Sequence, residues 1–260
     1  MKKLLPFAGI VIIWIYVFPS CSTDSPCMDG EGPLTSETRN VSGFTGISLE
    51  CEAIVHIQKG TEFSISVSAE KNLLPEIKIE KSGNDLRIYT DHCLDENEHI
   101  QVFIDMPSLN SIDISGSGNV IVEGVWSPST LNLDISGSGN ISCYDSLLCD
   151  NIVAKISGSG IINILTVTPN ITVDISGSGD MVINGTGDIA DYDISGSGTI
   201  RAFNFDNEIS HIDISGSGDT EVNTSDLIDG KISGSGDIYF MGSPTIDVDI
   251  TGSGHLIYVP

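Results

Sequence analysis

The pentapeptide Ile-Ser-Gly-Ser-Gly recurs through the second half of this chain with a period close to twenty. Copies begin at Ile114, Ile135, Ile156, Ile175, Ile194, Ile214, Ile232 and Ile250, the last reading Ile-Thr-Gly-Ser-Gly. The intervals are 21, 21, 19, 19, 20, 18 and 18 residues. A fixed period of that length, with no helical periodicity between copies, points to a stacked β coil. A disordered Gly/Ser linker is the competing expectation, and it fails because strand-like apolar runs separate the tetrads.

Leu131-Asn-Leu133-Asp-Ile135, Ile171-Thr-Val173-Asp-Ile175 and Ile246-Asp-Val248-Asp-Ile250 alternate apolar and polar residues. That is the pattern of a strand buried on one face. Glycine then suits a turn, through its access to positive φ. Serine offers a hydroxyl to nearby backbone and to its equivalent one rung away. A second short run such as Val120-Ile-Val122 or Met181-Val-Ile183 follows each turn.

One rung cannot bury its own few Ile and Val side chains, so rungs must stack, at about 4.8 Å. The fold class expected is therefore all-β: a right-handed parallel β-helix of about eight Ser-Gly-Ser-Gly rungs over residues 111–260. Such a segment would be roughly 35–40 Å long, with the isoleucines forming an internal ladder.

The N-terminus reads as an export signal. Lys2 and Lys3 precede an apolar run from Leu4 to Phe18, too short to span a bilayer as a mature helix. The segment ends Phe18-Pro-Ser-Cys21 and resembles a bacterial lipobox, with Phe18 where leucine is usual. The resemblance implies cleavage after residue 20 and acylation of Cys21. Residues 21–38, rich in Ser, Asp, Pro and Gly, then form a tether.

Of 11 Lys and Arg, two leave with the signal, so nine bases against 36 acids give the mature chain a charge of 9 − 36 = −27. Such a surface repels nucleic acid and anionic headgroups. The membrane is met only through the lipid anchor. Cys27, Cys51, Cys93, Cys143 and Cys149 lie beyond the anchor in an oxidising compartment. Disulfides are allowed there, with Cys143–Cys149 and Cys51–Cys93 as candidate pairs. The plainer reading is buried small apolar side chains or a stapled loop, and the odd count leaves at least one thiol free.

Between residues 39 and 110 the alternation continues, in Ile47-Ser-Leu49, Val55-His-Ile57, Phe63-Ser-Ile65-Ser-Val67, Ile77-Lys-Ile79, Leu86-Arg-Ile88 and Ile100-Gln-Val102. This region is expected to be a β sheet that shields one end of the coil. The opening Arg39-Asn-Val41-Ser-Gly-Phe44, the Asn72-Leu-Leu74 segment and the Ser-Gly rungs together resemble the head GIN domain family of auto-transporter adhesins. The likeness covers roughly Arg39 to Val259. It implies a right-handed β-helical fold in an exported protein, often a lipoprotein of gut-type bacteria. The last rung runs directly into Tyr258-Val-Pro260, so a literal autotransporter with its own barrel is not expected.

The residues before the rung isoleucines are Asp113, Asp134, Lys155, Asp174, Asp193, Asp213, Lys231 and Asp249. In register they form an outward column whose adjacent carboxylates repel by roughly 1 kcal/mol or more. Asp174, Asp193 and Asp213 are an unbroken triplet and the weak candidates for Ca²⁺, since hard oxygen ligands suit that ion. Asn119, Asn140, Asp180, Asp219 and Asp237 form a second polar set after the turns.

Nothing arranges His56, His92, His99, His211 or His255 for a triad. Intervals of 18–21 leave no room for groove-forming loops. The reading is a non-catalytic cell-envelope lipoprotein of the outer membrane, facing the periplasm or the cell surface. It would act as an adhesin that presents an acidic face to a glycan or protein. The alternatives are a periplasmic scaffold or sensor-associated module and, last, a calcium-dependent polysaccharide lyase.

Overall fold

Seven short strands precede the repeat: β1 (Leu34–Thr38), β2 (Gly46–Leu49), β3 (Ile54–Lys59), β4 (Ser64–Glu70), β5 (Ile77–Ser82), β6 (Asp85–Thr90) and β7 (Gln101–Met106). They come from a computed structural model that describes residues 27–94 and 99–260. Cys21 and the signal lie outside the described residues. Two of these strands already make a rung. β2 lies parallel between β6 and β8 (Ser111–Ile114), and β3 lies parallel between β7 and β9 (Asn119–Glu123). Spatial order is therefore β6–β7, then β2–β3, then β8–β9, although β2–β3 comes first in the chain.

The expected shielding sheet is thus mostly coil, built out of sequence order. Only its outermost strands run antiparallel: β4 on β7, β1 on β4, and β5 on β6. The turn between β4 and β5 crosses beyond the first rung. It buries Leu73 and Leu74, which closes that end of the core.

From residue 111 the coil follows chain order for about seven turns. Eight corners bound seven intervals, so the eighth tetrad opens only a final partial turn. One wall carries β8, β10 (Thr130–Ile135) and β12 (Asn151–Ile156); the other carries β9 and β11 (Asn140–Leu148). In β13 (Ile161–Ile175), β14 (Asp180–Ile194), β15 (Thr199–Ile214) and β16 (Asp219–Ile232), one strand of 14–16 residues runs from corner to corner through both walls. β17 (Ile238–Met241), β18 (Thr245–Ile250) and β19 (Leu256–Tyr258) complete the stack.

The isoleucine ladder is continuous. Ile114, Ile135, Ile156, Ile175, Ile194, Ile214, Ile232 and Ile250 pair successively. Leu49 and Ile88 extend it into the N-terminal rungs. Its members are at most 1 % exposed until Ile250, at 44 %, on the last rung. Burying an aliphatic side chain fully is worth roughly 1.5–3 kcal/mol, so the ladder holds each rung to its neighbours.

Candidate functional site

The Ser-Gly corners align one above another, and their glycines are demanded by proximity rather than by backbone angle. None of the tetrad glycines has positive φ, contrary to the expectation from turn geometry. A Cβ on Gly158 would instead stand 1.8 Å from the carbonyl oxygen of Gly137, and one on Gly139 would stand 2.0 Å from that of Gly118. The corner is itself a ladder. Ser138 N donates to Gly116 O at 3.1 Å, Ser159 N to Gly137 O at 3.0 Å, and Ser178 N to Gly158 O at 2.9 Å. Any side chain there would force the rungs apart. Both hydroxyl residues of each corner stay exposed, leaving two rows of hydroxyls along the edge.

Beside this edge the predicted column is present in register. Asp113 pairs with Asp134, Asp134 with Lys155, Lys155 with Asp174, then Asp193, Asp213, Lys231 and Asp249 in turn. A parallel row two residues back holds Thr172, Asp191, His211, Asp229 and Asp247. Between the rows lies a shallow depression of about 330 Å³, lined among others by Asp174, Asp191, Asp193, Asp213 and His211.

Burial first, and then the carboxylates of Asp174 and Asp213, raise the Asp193 carboxyl above its ordinary value. Burial and then Asp134 do the same for Asp113. The His211 ring bonds the Asp229 carboxylate one rung on. Asp174, Asp193 and Asp213 are stacked rather than convergent. Among the described residues no group of three or more His, Cys, Asp or Glu side chains comes together as a metal would require.

The second polar set does structural work at the corners. Asp180 Oδ1 accepts from Thr199 N at 3.2 Å, Asp219 Oδ1 from Asp237 N at 2.8 Å, and Asp237 Oδ1 from His255 N at 2.7 Å. Asn140 accepts from Ile161 N at 3.1 Å and donates to Asn119 at 2.7 Å. Asn140, Asp180, Asp219 and Asp237 thus each receive a backbone N–H of the next rung just after its corner, a donor that needs a partner, while Asn119 accepts from the Asn140 side chain. Arg201 pairs with Asp180 at 3.0 Å.

Neither candidate disulfide forms, and the plainer reading of buried small side chains holds for Cys51, Cys143 and Cys149. Cys93 bonds Cys27, 66 residues away, where Met28 N donates to Cys93 O at 2.9 Å and Met28 bridges Leu94 in parallel. Cys51, Cys143 and Cys149 are buried free thiols. Cys51 and Cys143 face the core as small apolar side chains. Burial is the main cause pushing them up to about 12, and Cys149 up to about 11, so they are poor nucleophiles at neutral pH.

One surface feature went unread in the sequence. Where β11 meets β13 the register shifts between Cys143 and Ser146, which ejects Tyr144 and Asp145 as a bulge. Tyr144 is left 63 % exposed. Its signal was present as the interval of 21 from Ile135 to Ile156 against 19 for the next turn.

This architecture agrees with the comparisons. The family model described as "Putative auto-transporter adhesin, head GIN domain" matches residues 43–168 and again 125–244. The chain belongs to this family. The two matches are offset by 125 − 43 = 82 residues, close to four periods, as expected if the N-terminal rungs are coil.

Solved structures agree in fold. A protein titled a putative adhesin from Parabacteroides distasonis superposes with a TM-score of 0.85 at 23 % identity, covering 90 % of this chain and 100 % of its own. One titled a putative lipid binding protein from the same species gives 0.83 at 24 %, with coverage of 90 % and 100 %. A putative adhesin from Parabacteroides merdae gives 0.84 at 21 %, with 90 % and 99 %. No curated protein is detectably similar to the chain. None of these names describes an enzyme.

Proposed function

We propose that this head GIN domain protein is a non-catalytic lipoprotein, exported and anchored through acylated Cys21, that holds a rigid β coil out from the outer membrane as an adhesive or ligand-presenting module. The observation that carries the reading is the unbroken register of the rung ladder from Ile88 to Ile250. An in-register stack of short connections fixes the relative positions of surface groups over many rungs. It offers an extended surface for a partner rather than a walled cleft for chemistry. The family name and two of the three solved relatives' titles support adhesion as the purpose, the third being titled a putative lipid binding protein.

The test is made on intact cells. Added protease and antibody should reach the chain without permeabilisation, and Cys21→Ala should release it from the membrane fraction. Complete shielding in intact cells would remove the surface role and leave a periplasmic scaffold.

A further inference from the structure

We infer that the ligand-binding face is the depression beside Tyr144, whose lining is uncharged, and that its ligand is a neutral oligosaccharide. This rests on the adhesive reading only in supposing that the coil has a ligand; it moves that ligand away from the acidic column.

The depression beside Tyr144 is lined by uncharged residues in a molecule that is strongly acidic, with Asp145 and Glu123 exposed outside its lining. This depression of about 350 Å³ lies over β3, β9, β11 and β13, and Ile54, Asn119, Asn140, Tyr144, Ile161 and Asn163 contribute to it. No residue lining it carries a formal charge, although the chain as a whole stands at −25. Anionic polymers are repelled by the rest of the surface, and a cation would find its carboxylates on the other wall. What remains favourable here is a neutral ligand.

Side-chain chemistry narrows the class. Tyr144 is 63 % exposed, Ile161 42 % and Phe103 44 %, and the Phe103 ring lies nearly parallel to the His56 ring, 4.9 Å between centroids. Phe103, His56, Ile121, Ser142 and Asn163 occupy successive positions of one outward column. Aromatic and aliphatic faces suit the C–H faces of a pyranose, while amides and hydroxyls suit its ring of mixed donors and acceptors. A lipid chain would use the apolar groups and desolvate the Asn163 amide and the remaining donors of the Asn119–Asn140 pair without giving them partners, which is costly.

The arrangement is also pre-set. Asn140 is held between two rungs, by Asn119 at 2.7 Å and by Ile161 N at 3.1 Å. Tyr144 is raised by the two-residue bulge, and Asp145 in that bulge accepts from Gly124 N at 2.6 Å. Bulges of this kind re-aim side chains at functional positions. Rigid presentation lowers the ordering cost of binding. From the Phe103 strand to the Tyr144 strand is three rung steps, roughly 14 Å, so the ligand is a short chain of sugars rather than a single ring.

The full-length chain, purified in detergent, is titrated by calorimetry with neutral hexose, N-acetylhexosamine and pentose oligomers of four to eight units, in α and β linkage. Polygalacturonate oligomers and phosphatidylcholine vesicles serve as the other arms. A neutral oligomer should bind and a polygalacturonate oligomer should not. Tyr144→Ala should weaken binding by about tenfold or more, and Asn163→Ala by a smaller factor, while Asp193→Asn leaves it unchanged. Circular dichroism and thermal unfolding confirm that each variant is folded.

Silence across all neutral oligomers overturns the proposal, as does binding that Tyr144→Ala leaves intact. Vesicle binding, or self-association on sedimentation, that Tyr144→Ala abolishes would give the wall to lipid or to a second copy and overturn it equally. None of these outcomes bears on whether the chain reaches the cell surface, which protease access decides separately.

Discussion

The coil beyond residue 111 and the segment before it use the same rung, yet they are assembled differently. In the coil each turn pairs with the turns directly before and after it in the chain, so stability is a sum of neighbouring interfaces. In the N-terminal segment β2–β3 is clamped between strands that come later. It cannot form its interfaces until residue 106 and beyond have been placed. The first arrangement is local and repetitive. The second depends on long-range contacts and carries the Cys27–Cys93 crosslink. The ends differ as well: Leu73 and Leu74 are buried over the first rung, whereas Ile246 and Ile250 on the last are 40 % and 44 % exposed.

The comparison is broken most severely at a corner. Gly158→Ala places a Cβ 1.8 Å from a backbone oxygen of the preceding turn, and no side chain can move aside to relieve it. Denaturant unfolding should show a loss of about 4 kcal/mol or more, against a change within about 0.5 kcal/mol for the exposed neighbour Ser159→Ala. Equal tolerance of the two would mean that rung spacing is not what demands glycine there.

A smaller effect separates the two regions. Cys93→Ser opens the 66-residue crosslink and should cost about 2–4 kcal/mol. The loss of amide-exchange protection should concentrate in β1 to β7 and spare β13 to β16. Uniform loss along the chain would show that the segments unfold as one unit.

The smallest effect lies on the acidic column. Asp193 has its folded pKa raised, by burial and then by Asp174 and Asp213. The folded state therefore binds the proton more tightly than the unfolded state, and stability falls as pH rises from the unfolded value near 3.9 through the folded one. Asp193→Asn should stabilise at pH 7 by no more than a few tenths of a kcal/mol, because the group is exposed. The gain should vanish below about pH 4. Melting temperatures at pH 7 and pH 3.5 measure it, and a gain that persists in acid would locate its cause in packing instead.

Much of the fold was legible because it repeats. The alternation before each tetrad named the buried residues, and equal spacing put Ile114 to Ile250 in one ladder. The Asp174, Asp193 and Asp213 column followed from the same register. The glycine requirement was read correctly as to residue and wrongly as to cause, since φ belongs to one rung and the clash belongs to two. The disulfide partners were missed because Cys27 and Cys93 meet only after β6 has been placed. Tyr144 was overlooked because two extra residues look like slack in a period until the partner strand shows that they have nowhere to go but outward.

By itself the sequence determined what is periodic: a β stack, its apolar interior, its Ser-Gly edge and its acidic stripe. Each of these is the same short-range choice made again every twenty residues. Tertiary structure alone decided the order of the first three rungs, the Cys27–Cys93 pair, the closed and open ends, and the depression beside Tyr144 with its uncharged lining. Those depend on which rung lies against which, and contact across the stack leaves no period in the chain to announce it.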